Sequence, residues 1–203
     1  MIIIIVCKKK LKIRKLVSFM HISLDGFTTN ANGQMDWVLA DEEMFDIAGQ
    51  QTLKSDTALY GRGTYEIMEA YWPTAADQPN ATKHDMEHSA WYNSVQKVIV
   101  SKTLKSSQVK NAKLISENLL DEIRTLKKEK GKEIVLFGSP ELTRFLTDEN
   151  LIDEYWLFIN PIILGQGNLL FNNLSHKIKL KLLTSKTFDS GVVCLHYETS
   201  NQI

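Results

Sequence analysis

Runs of four to nine apolar and β-branched residues alternate with helical patterns along most of this chain. No other feature limits the fold as much. A strand that passes the chain to a helix and receives it back lies parallel to its neighbour. Repeated units of this kind build a largely parallel sheet with helices on both faces. The strand-like runs are 15–21 (KLVSFMH), 57–60, 97–100, 113–116, 133–137 (EIVLF) and 153–159 (DEYWLFI). Helical spacing runs through 41–53, 64–70 and 119–130. A further helix starts at Pro140, whose missing N–H is harmless in a first turn. The last runs, 180–188 and 192–198, flank Asp189-Ser190-Gly191 and read as a hairpin that adds antiparallel strands at one edge. Residues 72–83, with Pro73 and Pro79, read as a loop. The pattern predicts one α/β domain of αβα layering, without linker or repeat.

Charge narrows the function. The chain has 24 Lys+Arg and 24 Asp+Glu, but residues 1–15 hold six cations and no anion. The rest carries 18 cations against 24 anions, an acidic body. A nucleic-acid-binding domain would present a basic face instead. The seven apolar residues at the start are far short of the roughly 20 that span a bilayer. The lysines follow that run, whereas a signal peptide has them first. Residues 1–13 read either as an extension ahead of a domain at 14–203 or as carrying a short edge strand at 2–6. Neither a nucleic-acid nor a membrane partner is expected. Cys7 and Cys194 form no Cys-x-x-Cys pair, and Cys194 is expected as a buried thiol. A cytoplasmic location is expected.

Common reaction motifs are missing from the sequence. It has no Gly-x-Ser-x-Gly elbow, no Walker-A lysine and no His-Glu-x-x-His. Among five histidines only His84 and His88 stand at a metal-ligand spacing. In a polar helical stretch with no third ligand they read as solvated surface, and no metal is expected.

Two strand-to-helix junctions are more informative, because ligands bind at the carboxyl edge of a parallel sheet. Helix N-termini there offer free N–H groups and partial positive charge to phosphate. At the first, Tyr60-Gly61-Arg62-Gly63-Thr64, the glycines admit close approach, Arg62 can fork onto phosphate, and Thr64 can cap the helix. A tight turn with a surface arginine is the other reading. At the second, Phe137-Gly138-Ser139-Pro140-Glu141-Leu142, the logic repeats. Two such turns in one sheet suit a dinucleotide, and Ser101-Lys102 at a third strand end could hold another phosphate.

These segments, with Ile22-Ser23-Leu24-Asp25-Gly26 and Asn160-Pro161-Ile162-Ile163-Leu164-Gly165-Gln166-Gly167, resemble the dihydrofolate reductase superfamily over about residues 14–200. The resemblance is strongest to the branch containing the reductase domain of bacterial riboflavin biosynthesis. It implies a sheet of about eight strands and NADPH as hydride donor. It also implies a reductase of the 5-amino-6-(5-phosphoribosylamino)uracil reductase type, acting on a small heterocyclic or carbonyl substrate, and a homodimer. On this resemblance Gly61, Arg62, Gly63 and Thr64 hold the pyrophosphate and adenosine phosphate, and Ser101 and Lys102 sit near the 2′-phosphate. Gly138, Ser139, Glu141 and Leu142 form the second phosphate turn. Phe137 stands where classical members have the first glycine of a pair. Trp37 matches the loop tryptophan, and Asp41 or Glu42 falls nearest the catalytic carboxylate of the first helix. Asp41 and Glu42 also read as an ordinary acidic helix start. Asp25 either orients a ring in the cleft or stabilises its turn. A nucleotide-binding module without redox turnover is the alternative function. Deleting residues 1–13 is expected to leave cofactor binding intact, which a titration of the truncated chain checks.

Overall fold

The computed structural model describes residues 13–109 and 111–200. The expected extension or edge strand therefore lies outside the described residues, except for Ile13. One eight-stranded sheet runs in the order β5 (Ala112–Ile115), β4 (Gln96–Val100), β3 (Ser55–Gly61), β6 (Glu133–Phe137), β1 (Leu16–Ser23), β7 (Glu154–Asn160), β10 (Val193–Thr199), β9 (Leu180–Thr187). All neighbours from β5 to β7 pair in parallel, and the closing β9–β10 hairpin is antiparallel, as the alternation predicts.

Period-two alternation builds the layers. Leu16, Met20 and Ile22 of β1 face the helices α4 (Leu119–Lys128) and α5 (Pro140–Asp148), and pack with Ile123, Leu126, Leu142 and Leu146. Phe19 faces the opposite side. There α1 (Glu42–Lys54), α2 (Arg62–Tyr71) and α3 (Lys83–Ser94) contribute Met44, Tyr65 and Tyr92. β3 and β6 divide in the same way, with Leu59 and Leu136 on one face and Tyr60 and Phe137 on the other. Cys194 is buried, and burial pushes its thiol up to about 12.

Two elements of the fold differ from the sequence reading. Residues 72–83 are not one loop. Trp72–Asp77 forms a 3₁₀ turn with Pro73 early in it. Thr82 then opens α3 through a capping box: its hydroxyl accepts from the Asp85 N–H, and the Asp85 carboxylate accepts from the Thr82 N–H at 2.9 Å. A second, two-stranded sheet joins β2 (Phe27–Thr29) to β8 (Asn168–Leu169), strands too short for any periodicity to show. It depends on Gly167, at φ +144°. A Cβ there would lie 2.0 Å from the Thr29 carbonyl oxygen.

Arg14 fixes the amino end of the sheet. Its guanidinium donates to the Lys132 carbonyl (2.6 Å), the Thr57 hydroxyl (2.7 Å) and the Asp56 carboxylate. It thus joins β1, β3 and the turn before β6 while itself only 6% exposed. Breaking such a pair leaves the partner uncompensated. Because Asp56 is partly open to water, Arg14→Ala should lower unfolding free energy by about 2 kcal/mol. A denaturant melt of the variant reads this directly.

Candidate active site

The cleft lies at the carboxyl ends of β1, β3, β4 and β6. It has two compartments that share Gly63, Thr64, Ser139 and Pro140 as a common wall. One is an open groove of about 590 Å³ that runs past Arg62, Ser101, Lys102, Glu141 and Leu142. The other is a cavity of about 760 Å³ between the sheet and α1, α2 and α3.

The common wall is built by two hydrogen bonds. The Gly61 N–H donates to Ser139 Oγ at 2.7 Å, and the Ser139 N–H donates to Thr64 Oγ1 at 3.0 Å. The two junctions singled out in the sequence are thus joined side by side. Thr64 does not cap α2, as the sequence suggested; Gly61 holds the N-cap position and the Thr64 hydroxyl serves the second turn. Gly138 and Ser139 both adopt left-handed backbone, at φ +55° each. A Cβ at Gly138 would press on Thr64 at 3.2 Å, so the position requires glycine. Among the described residues neither α2 nor α5 has a side-chain cap, so the first-turn N–H groups of α2, and of α5 beyond Pro140, which has none, are left free beside the groove. Arg62 is exposed, its nearest partner Glu66 at 3.8 Å. Ser101 turns inward, its Oγ accepting from the Thr103 and Leu104 N–H groups, and Lys102 is exposed beside it. Free N–H groups at two helix ends with two cations nearby suit a polyphosphate.

Asp25, Asp41 and Glu42, the carboxylates expected at the site, are not among the residues that line the cavity. The Asp25 carboxylate accepts from the Ser23 hydroxyl (2.6 Å), the Leu164 N–H (3.1 Å) and the Gly165 N–H (2.8 Å). These bonds, the serine first, lower its pKa, and the group holds its turn rather than lining the cavity. Asp41 is the N-cap of α1; it accepts from the Met44 N–H at 2.9 Å and the Ser190 hydroxyl at 3.1 Å. Glu42 is exposed on the first turn of α1 and does not line the cavity. From this helix Met44, Phe45 and Ala48 line it instead. Trp37 is half-buried outside the lining, while its neighbours Met35 and Asp36 line it. The loop is fixed to the sheet by Asn160, whose Oδ1 accepts from the Leu39 N–H at 2.9 Å.

The cavity's nitrogen chemistry comes from three histidines, His21, His84 and His88. His84 and His88 are not solvated surface. His88 is 5% exposed, packed on Trp72 at 4.0 Å, and both ring nitrogens are buried without a partner among the described residues. His84 stacks on Phe45 at 4.1 Å. The inward face of α3 is made of His88, Trp91 and Tyr92, so its polar and buried faces differ little in hydropathy, and that hid it. His21 of β1 lines the cavity against Phe158, and its Nδ1 is buried without a partner. A signal existed: His21 shares a strand face with Phe19. Burial lowers His21 to about 4 and His88 to about 3, so both are uncharged at neutral pH. Among the described residues no cluster of three or more His, Cys, Asp or Glu could hold a metal ion. No described helix is long and apolar enough to cross a membrane.

Fold and cleft together define a dihydrofolate reductase-like αβα protein. Residues 14–194 match the RibD C-terminal domain family, and the chain belongs to it. The Bacillus subtilis (strain 168) protein YyaP is 35% identical over 192 residues, covering 92% of this chain and 96% of YyaP. A putative riboflavin biosynthesis protein from Shewanella sp. PV-4 shares the fold at a TM-score of 0.69 and 20% identity, over 92% of this chain and 99% of that one. Dihydrofolate reductase from Enterococcus faecalis, solved in complex with NADP(H), aligns at a TM-score of 0.61 and 12% identity, over 92% and 97%.

The buried histidines carry a pH dependence. An unfolded histidine takes up its proton near pH 6.5, whereas folded His21 and His88 resist until about 4 and about 3. Their contribution is intact above pH 6.5 and is lost as the pH falls below it. The loss is about 1.4 kcal/mol per pH unit for each histidine. His88→Phe should remove a large part of the decline in stability between pH 7 and pH 5. Denaturant melts at the two pH values test this, and an unchanged slope would rule it out.

Proposed function

We propose that the protein is an NADPH-dependent reductase acting on a small heterocyclic or carbonyl compound. One observation carries this reading: two uncapped helix N-termini, held together through Gly61, Thr64 and Ser139, open on one groove that leads into an apolar cavity. The groove residues would hold the cofactor's phosphates through the first-turn N–H groups of α2 and α5. Arg62 and Lys102 supply charge, Lys102 and Ser101 standing nearest a 2′-phosphate. When bound, NADPH supplies a hydride. The shared wall at Gly63 and Pro140 passes the rest of the molecule into the cavity, whose rings and methionines exclude water. Positioning of two rings against each other then provides most of the rate. Asp25 and Asp41 act by holding the Leu164–Gly165 turn and α1 in place.

One observation favours a binding module without turnover: Asp41 and Glu42 do not line the cavity. Loss of nicotinamide absorbance with candidate pterins and aminouracils separates the two readings. A second copy of this chain is the proposed partner, joined along the edge strand β9, where Leu180, Leu182 and Leu183 are exposed; light scattering tests it, and a monomer refutes it.

Cofactor binding is tested by nicotinamide fluorescence and thermal shift. NADPH should bind well below millimolar, and Arg62→Ala should weaken it about tenfold. Unchanged binding by the variant removes Arg62 from the site. No binding of either NADPH or NADH defeats the proposal.

A further inference from the structure

Two features of the cavity bear on what it selects: a cluster of aromatic rings, and a half-buried histidine bonded to no described residue. The cluster is specific. Phe45 and His84 stack face to face in nearly parallel planes, 11° apart with centroids 4.1 Å apart, and Trp72 meets His84 edge-on at 5.4 Å. The inner faces cover one another, and the edges and outer faces that remain are polarisable surface against which another ring can pack edge-on or offset. Among the described lining residues, Asp36 alone carries a formal charge at neutral pH. The cations of the cleft, Arg62 and Lys102, belong to the groove. A phosphate placed in the cavity would lose its hydration without gaining a counter-ion, and Asp36 would repel it.

His21 supplies the polarity. It stands on the cavity face of β1, stacked on Phe158 at 4.9 Å, and makes no hydrogen bond to another described residue. A neutral imidazole has one donor and one acceptor nitrogen. Its Nδ1 is closed off from the cavity, so Nε2, which is bonded to no described residue and is not closed off, is the nitrogen a ligand can meet. Burial keeps this ring uncharged, so it hydrogen-bonds a polar edge and does not attract an anion.

We infer that the cavity takes a flat, uncharged ring compound bearing no phosphate, packed against the Phe45, His84 and Trp72 cluster and hydrogen-bonded through its polar edge to His21. This rests on the reductase reading and names the class of molecule that would be reduced. It departs from the phosphoribosylated uracil that the family resemblance implied.

The probes are lumazine, riboflavin and riboflavin 5′-phosphate, titrated against the full chain with and without saturating NADP⁺ and read by ligand fluorescence. Lumazine and riboflavin should bind, and the phosphate should weaken riboflavin about tenfold. Equal or tighter binding of the phosphorylated form overturns the inference, as does failure of all three to bind. His21→Phe should weaken lumazine about fivefold by removing the polar partner. His21→Gln, which restores a donor and an acceptor, should recover most of that. Cofactor affinity should stay within about twofold in both, since its charged anchors lie in the groove. Lumazine binding unaltered in both variants removes His21 from the assignment. If either variant fails to fold, the wild-type comparison of riboflavin with its phosphate decides the substrate class alone. Loss of NADPH binding with retained lumazine binding would defeat the reductase reading and leave the cavity assignment standing.

Discussion

Two hydrogen bonds between neighbouring strand ends support everything the cleft can do. Gly61 and Ser139 sit at the tips of β3 and β6, which the sheet places side by side. The Gly61 N–H and the Ser139 N–H are both used internally, one on Ser139 Oγ and the other on Thr64 Oγ1. This fixes the relative position of α2 and α5, so that their remaining N–H groups open toward the same groove. Either turn alone would be an ordinary loop. Held together, they form one concave site whose partial charges are set before any ligand arrives.

The sheet's alternation divides the labour behind that site. One face is sealed by aliphatic packing against α4 and α5 and has no polar duty. The other carries rings: Phe19, Tyr60, Phe137 and Phe158 from the strands, Tyr65 and Tyr92 from the helices. The cavity is a gap in this second layer. Its histidines are uncharged chiefly because the layer that holds them is dry, with the neighbouring His84 adding to the effect at His88.

The strands of the main sheet and the two glycine-bearing strand-to-helix turns were legible in the sequence because both are local. An apolar run such as EIVLF followed by Gly138-Ser139-Pro140 states its own structure. The resemblance to a family added the order of the pieces. Side-chain direction was not legible. Asp41 and Glu42 sit close in sequence to residues that line the cavity, but capping geometry takes the first to the helix end and solvent the second. His88 looked like surface because its helix buries polar aromatics, which hydropathy cannot distinguish from exposed ones. The β2–β8 pair was invisible because it depends on a backbone approach at Gly167, and no side-chain pattern records such an approach.

Ser139 sets stability and site geometry against each other. It holds left-handed backbone that a residue with a Cβ adopts at a cost of roughly 1 kcal/mol or more. A glycine at this position would relax the backbone, yet it would remove the hydroxyl that receives the Gly61 N–H. Selection for thermal stability alone and selection for a preformed groove therefore pull this residue in opposite directions. A more robust version of the fold has its easiest gain at the residue where the cleft can least accept it.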